Sequence, residues 1–187
     1  MKTTEVRSET AVTQSDEPKT SPDIATANPG SSQLIALVSQ QPFFKGMSDP
    51  LVQLLADSIM EMQFKPGDWI YRQGDTANRF YLILEGKVLI ETEVKERSMI
   101  PIRTLGPGDD LGWAWLFPPH YMHFSASVIE PTRTIFFYGT RLREKCEANH
   151  ELGYQLMKRV AEVVVRNLNA TQQRLLECTG TLNGING

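Results

Sequence analysis

The sequence is short of several things that would point to a particular chemistry. Among 187 residues there are only two cysteines, Cys146 and Cys178, far apart and in no Cys-x-x-Cys pair. A disulfide-stapled scaffold is therefore excluded, and the two read as reduced thiols of a cytoplasmic protein. Basic residues are not in surplus: 19 Lys and Arg stand against 22 Asp and Glu, for a net charge of −3 and a pI of about 5.7. A nucleic-acid surface usually leaves a basic footprint, so the balance argues against direct DNA binding. No apolar run approaches the ~18 residues of a membrane span, and the N-terminus has no apolar signal-peptide core. Walker loops, dinucleotide fingerprints and nucleophile–base motifs are missing too. One local absence matters most: between Leu105 and Val128 there is no Lys or Arg.

That stretch organises the chain. It reads L-G-P-G-D-D-L-G-W-A-W-L-F-P-P-H-Y-M-H-F-S-A-S-V. A Gly-Pro-Gly-Asp turn leads into an apolar segment, Leu111 to Phe117. Pro118 and Pro119 stop it, and a strand-like alternation resumes at His123. Gly112 permits a positive φ or a close backbone approach. The amides after it can begin a short helix, and helix N-termini collect anions. The pattern is that of a small anion cradle between two strands, without the cation that a phosphate normally requires.

In chain order, residues 1–31 are rich in Thr, Ser, Glu and Pro and nearly free of large apolar residues. They cannot bury enough surface to offset their ordering entropy and are expected to be a disordered tail. Leu34, Leu37 and Val38 then fall at helical spacing, and Pro42-Phe43-Phe44 ends that helix with two aromatic anchors. Ser48-Asp49-Pro50 starts a second helix, whose apolar face runs through Leu51, Leu54, Leu55 and Ile59 to about Glu61. From Met62 to Tyr138 short period-two stretches alternate with Gly67-Asp68, Gly74-Asp75, Gly86 and Glu130-Pro131, all read as turns, with a charged hairpin tip at Val94–Arg97. This predicts a mainly β protein, an antiparallel jelly-roll barrel. Thr140 is placed as the cap of a helix ending near Asn149. A longer helix follows, with Leu152, Leu156, Val160, Val164 and Leu168 at steps of four and Leu175 and Leu176 beyond. It either packs on its own barrel or forms a homodimer seam, and different turns can do each. Residues 178–187 are read as a flexible end, leaving a domain over 32–177.

At this point the residues resemble a family. Phe64-Lys-Pro-Gly67-Asp68-Trp-Ile70-Tyr-Arg-Gln-Gly74-Asp75 and Phe80-Tyr81-Leu-Ile83-Leu-Glu-Gly86-Lys-Val88 are similar to the cyclic-nucleotide-binding domain. The order of N-terminal helices, jelly-roll strands, phosphate-binding cassette and closing helices agrees, over roughly Gln33 to Glu177. The resemblance implies a cassette of the form Phe-Gly-Glu-x-x-Leu, then Pro-Arg-Ala-Ala, in which the Glu holds the ribose and the Arg pairs with the cyclic phosphate. Here Leu111-Gly112 matches the start, but Trp113 stands at the Glu, with Ala114 after it. Ser125-Ala126 matches the two alanines, which puts His123 and Phe124 at the Pro and the Arg, and the Pro118–His123 gap is enlarged. Imidazole is a poor charge partner near pH 7, so neither His120 nor His123 replaces the arginine well.

The degenerate cassette residues are thus Gly112, Trp113, Ala114, His123, Phe124, Ser125 and Ala126. The expected function is a sensor or regulatory module that acts through an unidentified protein partner and binds cAMP and cGMP weakly or not at all. A cyclic nucleotide or another small planar ligand is the only cofactor-like molecule the stretch suggests. Trp113, Trp115, Phe117, Tyr121 and Phe124 form an aromatic cluster that either plugs the pocket or stacks a flat ligand. A competing class is a small metal-dependent enzyme on a cupin-like jelly roll, with His120 and His123 joined by Asp109, Asp110 or His150.

Overall fold

Residues 30–94 and 98–183 are described by a computed structural model. The expected disordered tail lies outside them except for its last two residues, and most of the hairpin tip lies outside them as well. Helix α1 (Ser31–Gln40) buries Leu34, Ile35 and Val38. A 3-10 turn over Pro42–Phe44 then inserts both phenylalanines into the core. Helix α2 is shorter than its apolar spacing suggests, Asp49–Gln53, and a 3-10 turn over Ala56–Ser58 follows it. Leu54 is left exposed, and the first strand starts at Ile59, three residues before Met62. Apolar residues at positions 51, 54 and 55 suit a helix, but the β-branched Ile59 is drawn into the sheet by its partner Phe137.

The strands are β1 (Ile59–Phe64), β2 (Trp69–Tyr71), β3 (Arg79–Val94), β4 (Ser98–Leu105), β5 (Asp110–Leu111) and β6 (Ser125–Tyr138). They form one antiparallel sheet in the order β1-β6-β3-β4, with β2 on β6 and β5 on β3. It curls on itself in the jelly-roll manner without closing. Two expected turns are instead bends inside long strands. Gly86 lies within β3, and Glu130-Pro131 lies within β6, where the β3–β6 register shifts on either side of them. Arg133 pairs with Glu85 and Glu130 with Lys87, so Pro131 sits where the ladder skips a residue and its missing N–H costs nothing. Strand β6 also begins at Ser125, two residues after the expected resumption at His123.

Side chains leave β3 in both directions into apolar surroundings. Phe80 and Leu82 pack toward the helices with Phe44, Trp115 and Phe137. Tyr81 and Ile83 fill the interior of the roll with Phe64, Val88, Leu111 and Phe136. Helix α3 (Gly139–Ala148) begins after Tyr138, so Thr140 lies inside its first turn and does not cap it. Helix α4 (His150–Asn183) continues past the Glu177 boundary. Its first half is core: Leu152, Leu156, Val160 and Val163 are buried. Arg159 anchors it there, donating to the carbonyls of Gln155 and Lys45. From Val164 onward its apolar residues, Leu168, Leu175 and Leu176 among them, are exposed.

Candidate functional site

The site is built where β5 leaves the sheet. Gly112 adopts φ 84°, and a side chain there would meet the Arg79 carbonyl at 2.8 Å, so both the turn and the packing require glycine. The next four residues, Trp113–Leu116, form the expected short helix, of the 3-10 type. Its two tryptophans part company. Trp115 is 1% exposed and belongs to the helix-side core. Trp113 stays at the cassette, edge-on to Phe117 at 6.3 Å and 6.4 Å from the His123 ring. Phe117, Tyr121 and Phe124 are exposed. The five aromatics are therefore not one cluster: Trp115 is buried in the core, Trp113 packs partly against that core and edge-on to Phe117, and Phe117, Tyr121 and Phe124 are exposed.

A cavity of about 160 Å³ lies against this segment. Gly112, Trp113, Ala114, His123 and Phe124 line it. Ser125 and Ala126 do not. The Ser125 hydroxyl accepts from the Gln73 amide at 2.9 Å, and Ala126 is fully buried in the roll. The remaining walls were not foreseen. Tyr71, Ile90, Ile102, Arg103 and Met122 come from the roll and the end of the loop, and Asn167, Ala170, Thr171 and Arg174 from α4. The cavity thus lacks a cation on its cassette side and has two on the opposite side. The Arg103 guanidinium donates to Oδ1 of Asn167, and Arg174 donates to the Ile102 carbonyl, tying α4 to β4. Burial raises the Tyr71 hydroxyl well above the ordinary tyrosine value.

Next to it is a cavity of about 120 Å³ lined by Arg103, Asp110, Arg166 and Asn167 among others. Asp110 Oδ2 is buried there without a hydrogen-bond partner among the described residues. Burial pushes its carboxyl up to about 6, although Arg166 and Arg103 pull the other way. The folded-state value lies above the unfolded one, so the group takes up a proton on folding. Its favourable contribution is fully present below about pH 4 and is lost as pH rises through 6. We expect Asp110→Asn to stabilise the protein by roughly 2 kcal/mol at pH 7.5 and by little near pH 4. Denaturant melts at the two pH values measure this, and a destabilised variant at pH 7.5 would show that the arginine attraction outweighs burial.

The histidines do not make a metal centre. Among the described residues no group of three or more His, Cys, Asp or Glu side chains is placed to hold a metal ion. His120 adopts φ 59°, and its Nδ1 is buried without a hydrogen-bond partner, while His123 turns to Trp113. Asp109, Asp110 and His150 do not converge on them. No helix among the described residues is long and apolar enough to cross a membrane.

Comparison with known proteins fits this architecture. Residues 61–149 match the family model of the cyclic nucleotide-binding domain. The fold is that of the cyclic nucleotide-binding domain, and residues 61–149 are similar to that family. A CRP-like cAMP-activated global transcriptional regulator of Mycobacterium tuberculosis is 23% identical over 141 residues, covering 75% of this chain and 61% of the relative. The chain thus spans about three-fifths of that protein's length. A solved protein from Geobacter metallireducens GS-15, named for cyclic nucleotide binding, is 28% identical with a TM-score of 0.64, over 75% of this chain and 98% of that one. The regulatory subunit of a cAMP-independent protein kinase A from Trypanosoma brucei is 25% identical with a TM-score of 0.61. That match covers 78% of this chain and 51% of the subunit, solved as a triple mutant bound to cAMP in its A site.

Proposed function

We propose that the chain is a non-catalytic regulatory module of a cytoplasmic system, that it binds cAMP and cGMP weakly or not at all, and that it acts through a protein partner. One observation supports the reading: Trp113 and Phe124, which the family resemblance aligns with the ribose-binding Glu and the phosphate-binding Arg, line the cavity. An indole offers a ribose hydroxyl no anionic acceptor. A phenyl ring offers a buried phosphate no charge. Losing the partner of a buried charge costs ~2–5 kcal/mol, and a lost hydrogen bond to a charged group ~1.5–3 kcal/mol. Together they remove about 10³-fold or more in affinity. The T. brucei subunit supports such a reading. It is a cAMP-independent regulator of similar fold, and the mutant bound to cAMP has an arginine among its three substitutions. The regulatory role is supported by the names of that subunit and of the M. tuberculosis regulator.

Titration calorimetry with cAMP and cGMP tests the proposal. We expect no saturable heat below about 1 mM, where a buried phosphate with no cation on the cassette side of the cavity would place binding. A Trp113→Glu, Phe124→Arg double variant should gain about tenfold or more for cAMP. A micromolar or tighter dissociation constant for the natural sequence would overturn the reading.

A further inference from the structure

We infer that the cavity behind Trp113 is a site for a small planar aromatic carboxylate, its ring against Trp113 and Phe124 and its carboxylate on Arg103 and Arg174. The inference rests on the remodelled cassette argued above and names the ligand chemistry of that same pocket.

The size of the cavity comes first. About 160 Å³ is small beside the ~300–1,000 Å³ of pockets that enclose drug-sized ligands. Its enclosed part suits one or two fused rings better than a base, a ribose and a phosphate together. Its lining comes second. Trp113, Phe124, Tyr71, Ile90, Leu111 and Met122 present flat or apolar surface, which rewards an aromatic body. The charge comes third, and it lies on the wall opposite the cassette. Arg103 and Arg174 are held by neutral oxygens, Oδ1 of Asn167 and the Ile102 carbonyl. A guanidinium has five donors in a planar fork. Each can therefore turn a second N–H to a carboxylate without giving up the bond that holds α4.

Asp110 does not cancel this charge. Its carboxyl lies on the neighbouring cavity, where it is shared between Arg103 and Arg166. Arg103, Arg166 and Arg174 stand against two carboxylates, Asp109 and Asp110, which leaves one positive charge in excess for an incoming monoanion. A phosphate dianion would meet the same arginines at a far higher desolvation cost in so apolar a cavity. A neutral ring would bury apolar surface but leave the arginines' free N–H groups unused.

Calorimetry with benzoate and with indole-3-carboxylate, each against its neutral carboxamide and against inorganic phosphate, tests the inference on the full chain. At least one carboxylate is expected to bind about tenfold or more tightly than its amide. Arg103→Gln and Arg174→Gln should each erase that preference while leaving amide binding as it was. Retained amide binding also shows that the variants remain folded. Should Arg103→Gln fail to fold, Arg174→Gln, on the exposed end of α4, decides alone. Equal affinity for acid and amide, phosphate binding tighter than either carboxylate, no carboxylate binding at 10 mM (about 3 kcal/mol of affinity), or a preference that survives Arg174→Gln would each overturn the inference. A parallel titration with cAMP keeps the two readings apart. Tight cAMP binding would sink the emptied-cassette reading, whereas its absence together with acid–amide equality would sink this inference alone.

Discussion

Gly86→Ala is expected to cost about 3–5 kcal/mol, and to lower the melting temperature by about 10 °C or more. Gly86 sits at φ 91° in β3, where the strand bends against β6. A Cβ there would lie 2.2 Å from the Pro131 carbonyl oxygen, 2.5 Å from the Thr132 hydroxyl oxygen and 2.7 Å from the Thr132 Cα. Two of those three neighbours are backbone, so neither can swing aside. The third is pinned, since the Thr132 hydroxyl donates to the Glu130 carbonyl at 2.7 Å. Strain at a positive φ and overpacking therefore add. Gly74 supplies the control: its φ is 88°, but nothing lies within 4 Å of a Cβ built on it. Gly74→Ala should carry only the conformational part, about 1–2 kcal/mol. Thermal melts of the two variants measure the difference. If they are equally mild, the β3–β6 crossing is far more compliant than its geometry indicates.

The same glycine shows what the sequence does and does not reveal. A Gly after a Glu in a β region marks a break in pleating, and that much was legible. Whether the break is a turn or a bend depends on the partner strand, and the partner lies 45 residues further on, at Pro131. Both ends of this contact were therefore read as turns. The order of elements and the family resemblance were legible because they rest on local signals: spaced Gly-Asp corners, apolar alternation and the uninterrupted pattern of α4. The cassette half of the site was legible for the same reason, Gly112 to Ala114 and His123-Phe124 being contiguous stretches. Its other half was not. Arg103 is a lone charge in a hairpin strand, and Asn167, Thr171 and Arg174 look like the solvent side of a long helix. Only the return of α4 across the mouth of the roll gives them a role. Periodicity on α4 carried a signal that was partly missed, because Asn167, Ala170 and Arg174 continue at helical spacing the face that Leu152, Leu156, Val160 and Val163 begin.

A second stripe on α4 leads to the remaining expectation: a homodimer through this helix, which Val164→Glu, Leu168→Glu should convert to folded monomer. Tyr154, Met157, Ala161, Val164, Leu168, Thr171 and Leu175 follow one another at alternating steps of three and four. All seven are exposed. The stripe lies roughly a third of a turn from the core-facing side of the helix, so burying one leaves the other open. An alternating three–four repeat is the spacing that lets two helices keep one seam in contact over several turns. From Tyr154 to Leu175 the seam is about 30 Å long. A second copy of the same helix is the occupant that this repeat fits, since it offers the same spacing in return. Its small and polar members, Ala161 and Thr171, allow close approach without making the free surface insoluble. Two glutamates at neighbouring seam positions would set four carboxylates against each other in the dimer. Because neither residue belongs to the core cluster that holds α4 to the domain, the fold should survive. Light scattering across a concentration series measures the mass, and circular dichroism confirms the fold. A natural sequence already monomeric at high concentration, or a double variant that still dimerises, would show that the stripe serves something other than a second copy.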